Sequence, residues 1–155
     1  MPDLLSHLII ALILAELLGI RKKSLVVMGA LAPDVLSKFF LIYVYFNLPT
    51  IISFVPFHTP FMMLLLSILI APLFKYNKIK TVLLLNLGSL SEFLSDLTMK
   101  HFGVLGTRVL FPFSTENYTL NLIWPNDSFY ILIGTAFVYL AIIFLKKSRF
   151  RKETM

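Results

Sequence analysis

Apolar positions in this chain come in long unbroken runs, not in alternation. Leu8 to Ile20, Phe61 to Phe74 and Ile131 to Leu145 carry almost no polar residue. A half-buried strand would alternate with a period of two, so such runs read as helices. Polar and helix-breaking residues divide the chain into five apolar segments. They are roughly Leu4–Ile20, Ser24–Phe46, Pro60–Phe74, Ile79–Met99 and Ser128–Leu145. The second is interrupted by "APD" at 32–34, and a proline there removes a backbone donor and predicts a break near Pro33. The stretch 46–60 holds three prolines and reads as a loop, and 101–127 reads as a polar loop with short helices at most.

Composition turns these helices toward a membrane. The hydrophobic fraction is 58% and the charged fraction 14% of 155 residues, against about 25% charged in soluble domains. The mean hydropathy is +0.87. A bilayer core about 30 Å thick takes ~20 apolar helical residues. The expectation is therefore all-α: a polytopic helical membrane protein with about five transmembrane helices, one broken near Pro33. Residues 1–145 would form a single membrane domain and 146–155 a basic cytoplasmic tail. The chain has no cysteine, which excludes disulfides and thiolate metal sites. The first segment lacks a basic start and a small-residue cleavage site, unlike a signal peptide.

Charge then orients the chain. The net +6 gathers in "RKK" (21–23), "KYNKIK" (75–80) and "KKSRFRK" (146–152). Basic clusters beside apolar runs mark cytoplasmic loops and contacts with anionic membrane lipids, not a nucleic-acid surface. Five crossings place all three clusters on one side, with the N-terminus outside and the C-terminus cytoplasmic, as a multi-pass protein of the plasma (inner) membrane.

Against this background, a few residues stand out. Asp34, Glu92 and Asp96 fall in apolar segments, where an ionisable group costs about 2.5–3.5 kcal/mol. No Lys or Arg lies mid-segment to pair with them; Lys100 and Arg108 lie beyond the fourth segment. Glu92 and Asp96 share a helical face with Gly88 and Ser89, small residues that allow a close helix neighbour. His7 and His58 fall at similar depth. Imidazoles with carboxylates suit a divalent metal, with Zn²⁺ foremost and Mn²⁺ or Fe²⁺ next. The candidate metal set is thus His7, Asp34, His58, Glu92 and Asp96, enough for one ion or for two sharing a carboxylate. Glu16, close to "RKK", reads as a charge paired locally.

Taken in order, the His of "LLSHLIIALIL", "GALAPDV", "FHTP", the Glu92/Asp96 pair and "G-x5-PFS" (Gly106 to Ser114) resemble the YdjM-like membrane-bound metal-dependent hydrolases. That family is distantly similar to zinc-dependent phospholipase C. The resemblance implies metal ligands at His7, Asp34, His58 and Asp96, with Glu92 in place of the family's helix histidine. "PFHTP" is a shortened form of the family's His-Arg-Gly-x-Thr-His-Ser-like stretch. A glutamate for a histidine hardens the site toward Mg²⁺ or Mn²⁺.

Two functions fit. The first is a hydrolase of a phosphoester or lipid headgroup at the outer membrane face. Asp34 or Glu92 would be the general base, and Arg108 and Ser114 would hold an anionic substrate. The second is a non-enzymatic membrane protein, an ion or proton carrier or an assembly factor, in which the acids are buried for structure.

Overall fold

The structure, a computed structural model, describes residues 4–38, 45–46, 58–100 and 108–153. Among the described residues there are five α-helices: α1 (Leu4–Leu17), α2 (Lys23–Lys38), α3 (Pro60–Ile70), α4 (Lys78–Thr98) and α5 (Ser128–Glu153). One-turn 3₁₀ helices follow α3 at Ala71–Leu73 and precede α5 at Pro125–Asp127.

Local chemistry sets the helix ends. Past α1, Gly19 adopts φ +62°, and the Ile20 N–H returns to the Ala15 carbonyl at 2.9 Å. This left-handed closure favours glycine and turns the chain into α2. Thr59 caps α3, accepting the Met62 N–H at 3.4 Å ahead of Pro60, and Asn77 caps α4, accepting the Lys80 N–H at 3.0 Å. At the other end of α4 the orphan carbonyls are met from outside the helix. The Leu97 carbonyl accepts Leu120 N–H at 2.8 Å, and the Thr98 carbonyl accepts Leu122 N–H at 2.9 Å and Ile123 N–H at 3.1 Å. Asn121, at φ 52°, provides the left-handed step between these donors, a conformation asparagine tolerates better than most residues.

α4 is the central element, packed against α1, α2 and α3, while α5 lies along α1. The interior mixes small and polar residues with a few large apolar ones, Met63, Leu85 and Met99 among them. Ala11, Ala15, Val26 and Ala30 form its apolar cluster, and Ser6, Thr81 and Ser89 are buried beside it. Many large apolar side chains face out: Leu69, Leu83, Leu94, Phe137 and Phe144 are all exposed.

The tightest contact is between α2 and α4. A Cβ built on Gly29 would lie 1.9 Å from the Leu85 carbonyl oxygen, and one built on Gly88 would lie 1.9 Å from that of Val26. The two backbones touch, with no side chain between them. The same crossing explains why the break expected at Pro33 is absent. Pro33 sits inside a continuous α2. Its missing N–H leaves the Gly29 carbonyl without a helical donor, and the Ser89 hydroxyl of α4 donates to that carbonyl at 2.8 Å.

The five-span architecture is not supported. Among the described residues one helix, Ser128–Ser148, is long and apolar enough to cross a membrane, with a mean hydropathy of 2.3 over its best window. Leu4–Leu17 and Pro60–Leu73 are apolar but short; 14 residues of α1 rise only about 21 Å. α4 has the length, at 21 residues, but carries Lys78, Lys80, Glu92 and Asp96. α2 has 16 residues, with Lys23 and Asp34 among them. The sidedness of the termini rested on five crossings and falls with them. The stretch 47–57, expected as a loop, lies outside the described residues.

The three basic clusters do meet at one end of the bundle. Glu16, buried at the end of α1, pairs with Lys23 at the start of α2. Its other carboxylate oxygen accepts from Lys146 at 2.7 Å, and Lys146 also donates to the Glu16 backbone carbonyl at 2.6 Å. The pairing of Glu16 is therefore local and long-range at once. Lys22 lies over the Tyr76 ring, 5.8 Å from its centre. The basic stretch from 146 continues α5 through Glu153.

Two outcomes follow from this packing. Gly88→Ala forces the helices apart and should lower unfolding stability by about 1–3 kcal/mol or more. Gly134→Ala, where a Cβ meets nothing within 4 Å, should be neutral or stabilising. Denaturant melts of both variants in one detergent check the contrast. The Glu16 carboxyl is held below the ordinary glutamate range, by Lys146 first and then Lys23, against an opposing push from burial. Its contribution is therefore present above the unfolded glutamate pKa and lost as pH falls through the lower, folded value. The stability gap between the parent and Glu16→Gln should be open at pH 6 and should narrow on acidification, read by thermal melts across pH.

Candidate metal centre

The carboxylates and imidazoles of the interior come from four elements. α2 supplies Asp34, about one and a half turns beyond Gly29. α4 supplies Glu92 and Asp96, one and two turns beyond Gly88 on the same face. α1 supplies His7 from its second turn. His58 immediately precedes the Thr59 cap of α3, so the cap that starts α3 also places the imidazole.

The burial is severe. Asp34 is 0%, Glu92 1% and His7 1% exposed, with Asp96 at 3%. The His58 side chain retains 16%. His58 lies at the middle of the group. Its Nε2 is 3.7 Å from Asp34 Oδ1, and its Nδ1 is 3.4 Å from Glu92 Oε1 and 3.8 Å from Asp96 Oδ2. Asp96 turns its other oxygen, Oδ1, to His7 Nε2 at 3.4 Å. Neither ring nitrogen of His7 makes a hydrogen bond among the described residues.

One ligand atom each from Asp34, His58 and Glu92 lies within 4.8 Å of the others, so this group could hold a metal ion. Around a tetrahedral ion with bonds of about 2.1 Å, neighbouring ligand atoms stand about 3.4 Å apart. The Nδ1–Glu92 separation of 3.4 Å matches that spacing, while Asp34 at 3.7 Å faces the opposite ring nitrogen, Nε2, so one ion takes one side of the ring. The ring can give one nitrogen to an ion and turn the other to a carboxylate, which fixes tautomer and orientation.

The structure thus brings His7, Asp34, His58, Glu92 and Asp96 into one connected group. Arg108 and Ser114 take no part in these contacts. Arg108 has its Nε buried, and Ser114 Oγ accepts the Glu116 N–H at 3.2 Å within a turn. Lys100 lies over the Trp124 ring, 4.0 Å from its centre. Gly106 lies outside the described residues. Sequence reasoning gave Ser89 a packing role and missed its hydrogen bond to Gly29. The available signal was a proline four residues after a glycine, which leaves one carbonyl in need of a donor.

Comparison with protein-family models, with curated proteins and with solved structures returns no match. The functional reading therefore stands on the chain's own chemistry.

Metal content tests the group directly. Purified protein loaded with Zn²⁺ and then desalted should retain metal, measured by plasma mass spectrometry. His58→Ala and Asp34→Ala should each weaken binding by about tenfold or more, while Gly134→Ala should not change it. Binding should also weaken on acidification, because the ligands must be deprotonated.

Proposed function

We propose that the protein is a membrane-associated, metal-dependent hydrolase acting on a phosphoester or lipid headgroup. The observation that carries this reading is the convergence of Asp34, His58 and Glu92, from three separate elements, on one buried point. Three buried carboxylates repel one another, and burying such charge is costly without a counter-charge. A divalent cation supplies that counter-charge where five residues present oxygen and nitrogen donors. The resemblance to the YdjM-like hydrolases, in the order His7, Asp34, His58 and Asp96, points the same way.

A mixed imidazole–carboxylate set favours Zn²⁺, and the excess of carboxylate leaves Mn²⁺ or Mg²⁺ as alternatives. When bound, the ion supplies Lewis acidity and activates water near neutral pH. The remaining work belongs to the chain. Asp34 or Glu92 accepts the proton of the attacking water, and the burial of both keeps bulk solvent from competing. Asp96 orients His7 and His58 through its two oxygens. α5, the one helix long and apolar enough to cross a membrane among the described residues, anchors the protein there. That setting brings lipid phosphoesters to the site in preference to soluble ones.

The test compares metal-depleted and metal-loaded protein on a chromogenic phosphodiester and on short-chain phospholipids in detergent. Hydrolysis should need the metal, and Glu92→Gln should lower kcat by about 100-fold or more, with bound metal measured on the same samples. A protein that holds stoichiometric metal yet cleaves none of these esters would overturn the hydrolase reading in favour of an ion carrier or of acids buried for structure.

A further inference from the structure

The basic end of the bundle, opposite the carboxylate group along α2 and α4, contains a cleft of about 310 Å³ between the α1–α2 turn and the start of α4. Arg21, Lys22 and Lys80 stand around it. Ile20 and Leu84 line its floor, and both pack against the buried alanine cluster, so the floor is set by the core. Tyr76 closes one side, with the Lys22 ammonium over its ring at 5.8 Å. The N-termini of α2 and of the 21-residue α4 open toward the same end, adding their positive dipole ends to the three cations. Glu16, the acid of this end, is already engaged by Lys23 and Lys146.

We infer that this cleft binds the phosphate of an anionic phospholipid, with its cations on the phosphate and its apolar floor against the glycerol and first acyl carbons. Cations alone would suit any polyanion. The apolar floor beneath them selects an amphiphile, and the exposed Leu83 beside it continues that surface outward. The cleft is separate from the metal group and does not depend on the hydrolase reading. It would fix the depth and tilt of the bundle by a bound headgroup at its basic end.

Native mass spectrometry of the full chain in a neutral detergent tests this with dioctanoyl phosphatidylglycerol, dioctanoyl phosphatidylcholine and inorganic phosphate. The glycerol lipid should bind about tenfold or more tighter than the choline lipid, and Arg21→Gln/Lys80→Gln should remove that preference. Lys147→Gln, at the same end but outside the cleft, should leave it within about twofold, and a loss of about fivefold or more there would mark a bulk charge effect and overturn the site. A thermal melt confirms that the double variant is folded, and Lys80→Gln alone serves if it is not. Equal binding of the two lipids, or unchanged binding in the variants, overturns the site. Inorganic phosphate bound as tightly as lipid, and lost in the same variants, keeps the phosphate site and assigns it to free phosphate. A short RNA that outcompetes the lipid overturns the lipid assignment.

Discussion

The backbone contact between α2 and α4 is the constraint on which the rest of the structure depends. Helices usually pack with axes 8–10 Å apart. Gly29 and Gly88 remove the side chains that would hold them at that distance, and each glycine meets a carbonyl of the other helix. Asp34 and Glu92 follow these glycines by little more than one turn, so the spacing at the crossing sets the spacing of the carboxylates. A wider crossing would move the acids apart and leave His58 too short to reach both. The Ser89 hydroxyl adds a directional link at the same point, joining the two helices where Pro33 leaves a carbonyl open.

Around that crossing the molecule is arranged by polarity in two senses. From inside to outside, an interior holding many buried polar groups beside a few large apolar ones gives way to a surface rich in exposed leucine, isoleucine and phenylalanine. From one end to the other, an acidic group with two imidazoles gives way to a collar of lysines and arginines. Glu16 ties this collar together, joining α1, α2 and α5 through one carboxylate and one carbonyl. Helix α5 packs along α1 and leaves most of its own surface outward.

Much of the helix pattern was legible in the sequence, and the membrane topology was not. The starts of α3, α4 and α5 fall at or within one residue of the expected Pro60, Ile79 and Ser128, because the breaks in apolar pattern that mark them are local. The expected break at Pro33 failed because a proline's effect depends on whether another element repairs the lost bond. Ser89, distant in sequence, does so. The five-span reading failed because apolar composition does not report helix length: α1 ends at Leu17, ahead of the Gly19 turn, and the apolar run beginning at Phe61 becomes 3₁₀ at Ala71. The candidate site was legible by a different route. Charged residues in apolar surroundings are few, so His7, Asp34, His58, Glu92 and Asp96 could be picked out without knowing the fold. Their convergence required the Gly29–Gly88 crossing, and only Gly88 had been recognised as a packing position.

The placement of His58 has a thermodynamic consequence. Four members of the acidic group ride on helices that already touch one another, whereas His58 arrives on the cap of α3, and its imidazole is the most accessible of the five. The histidine is thus both the doorway and the latch. An ion bound there would be held in part by the residue that precedes α3, so occupancy and the packing of α3 on α4 would be linked equilibria, each raising the other by mass action.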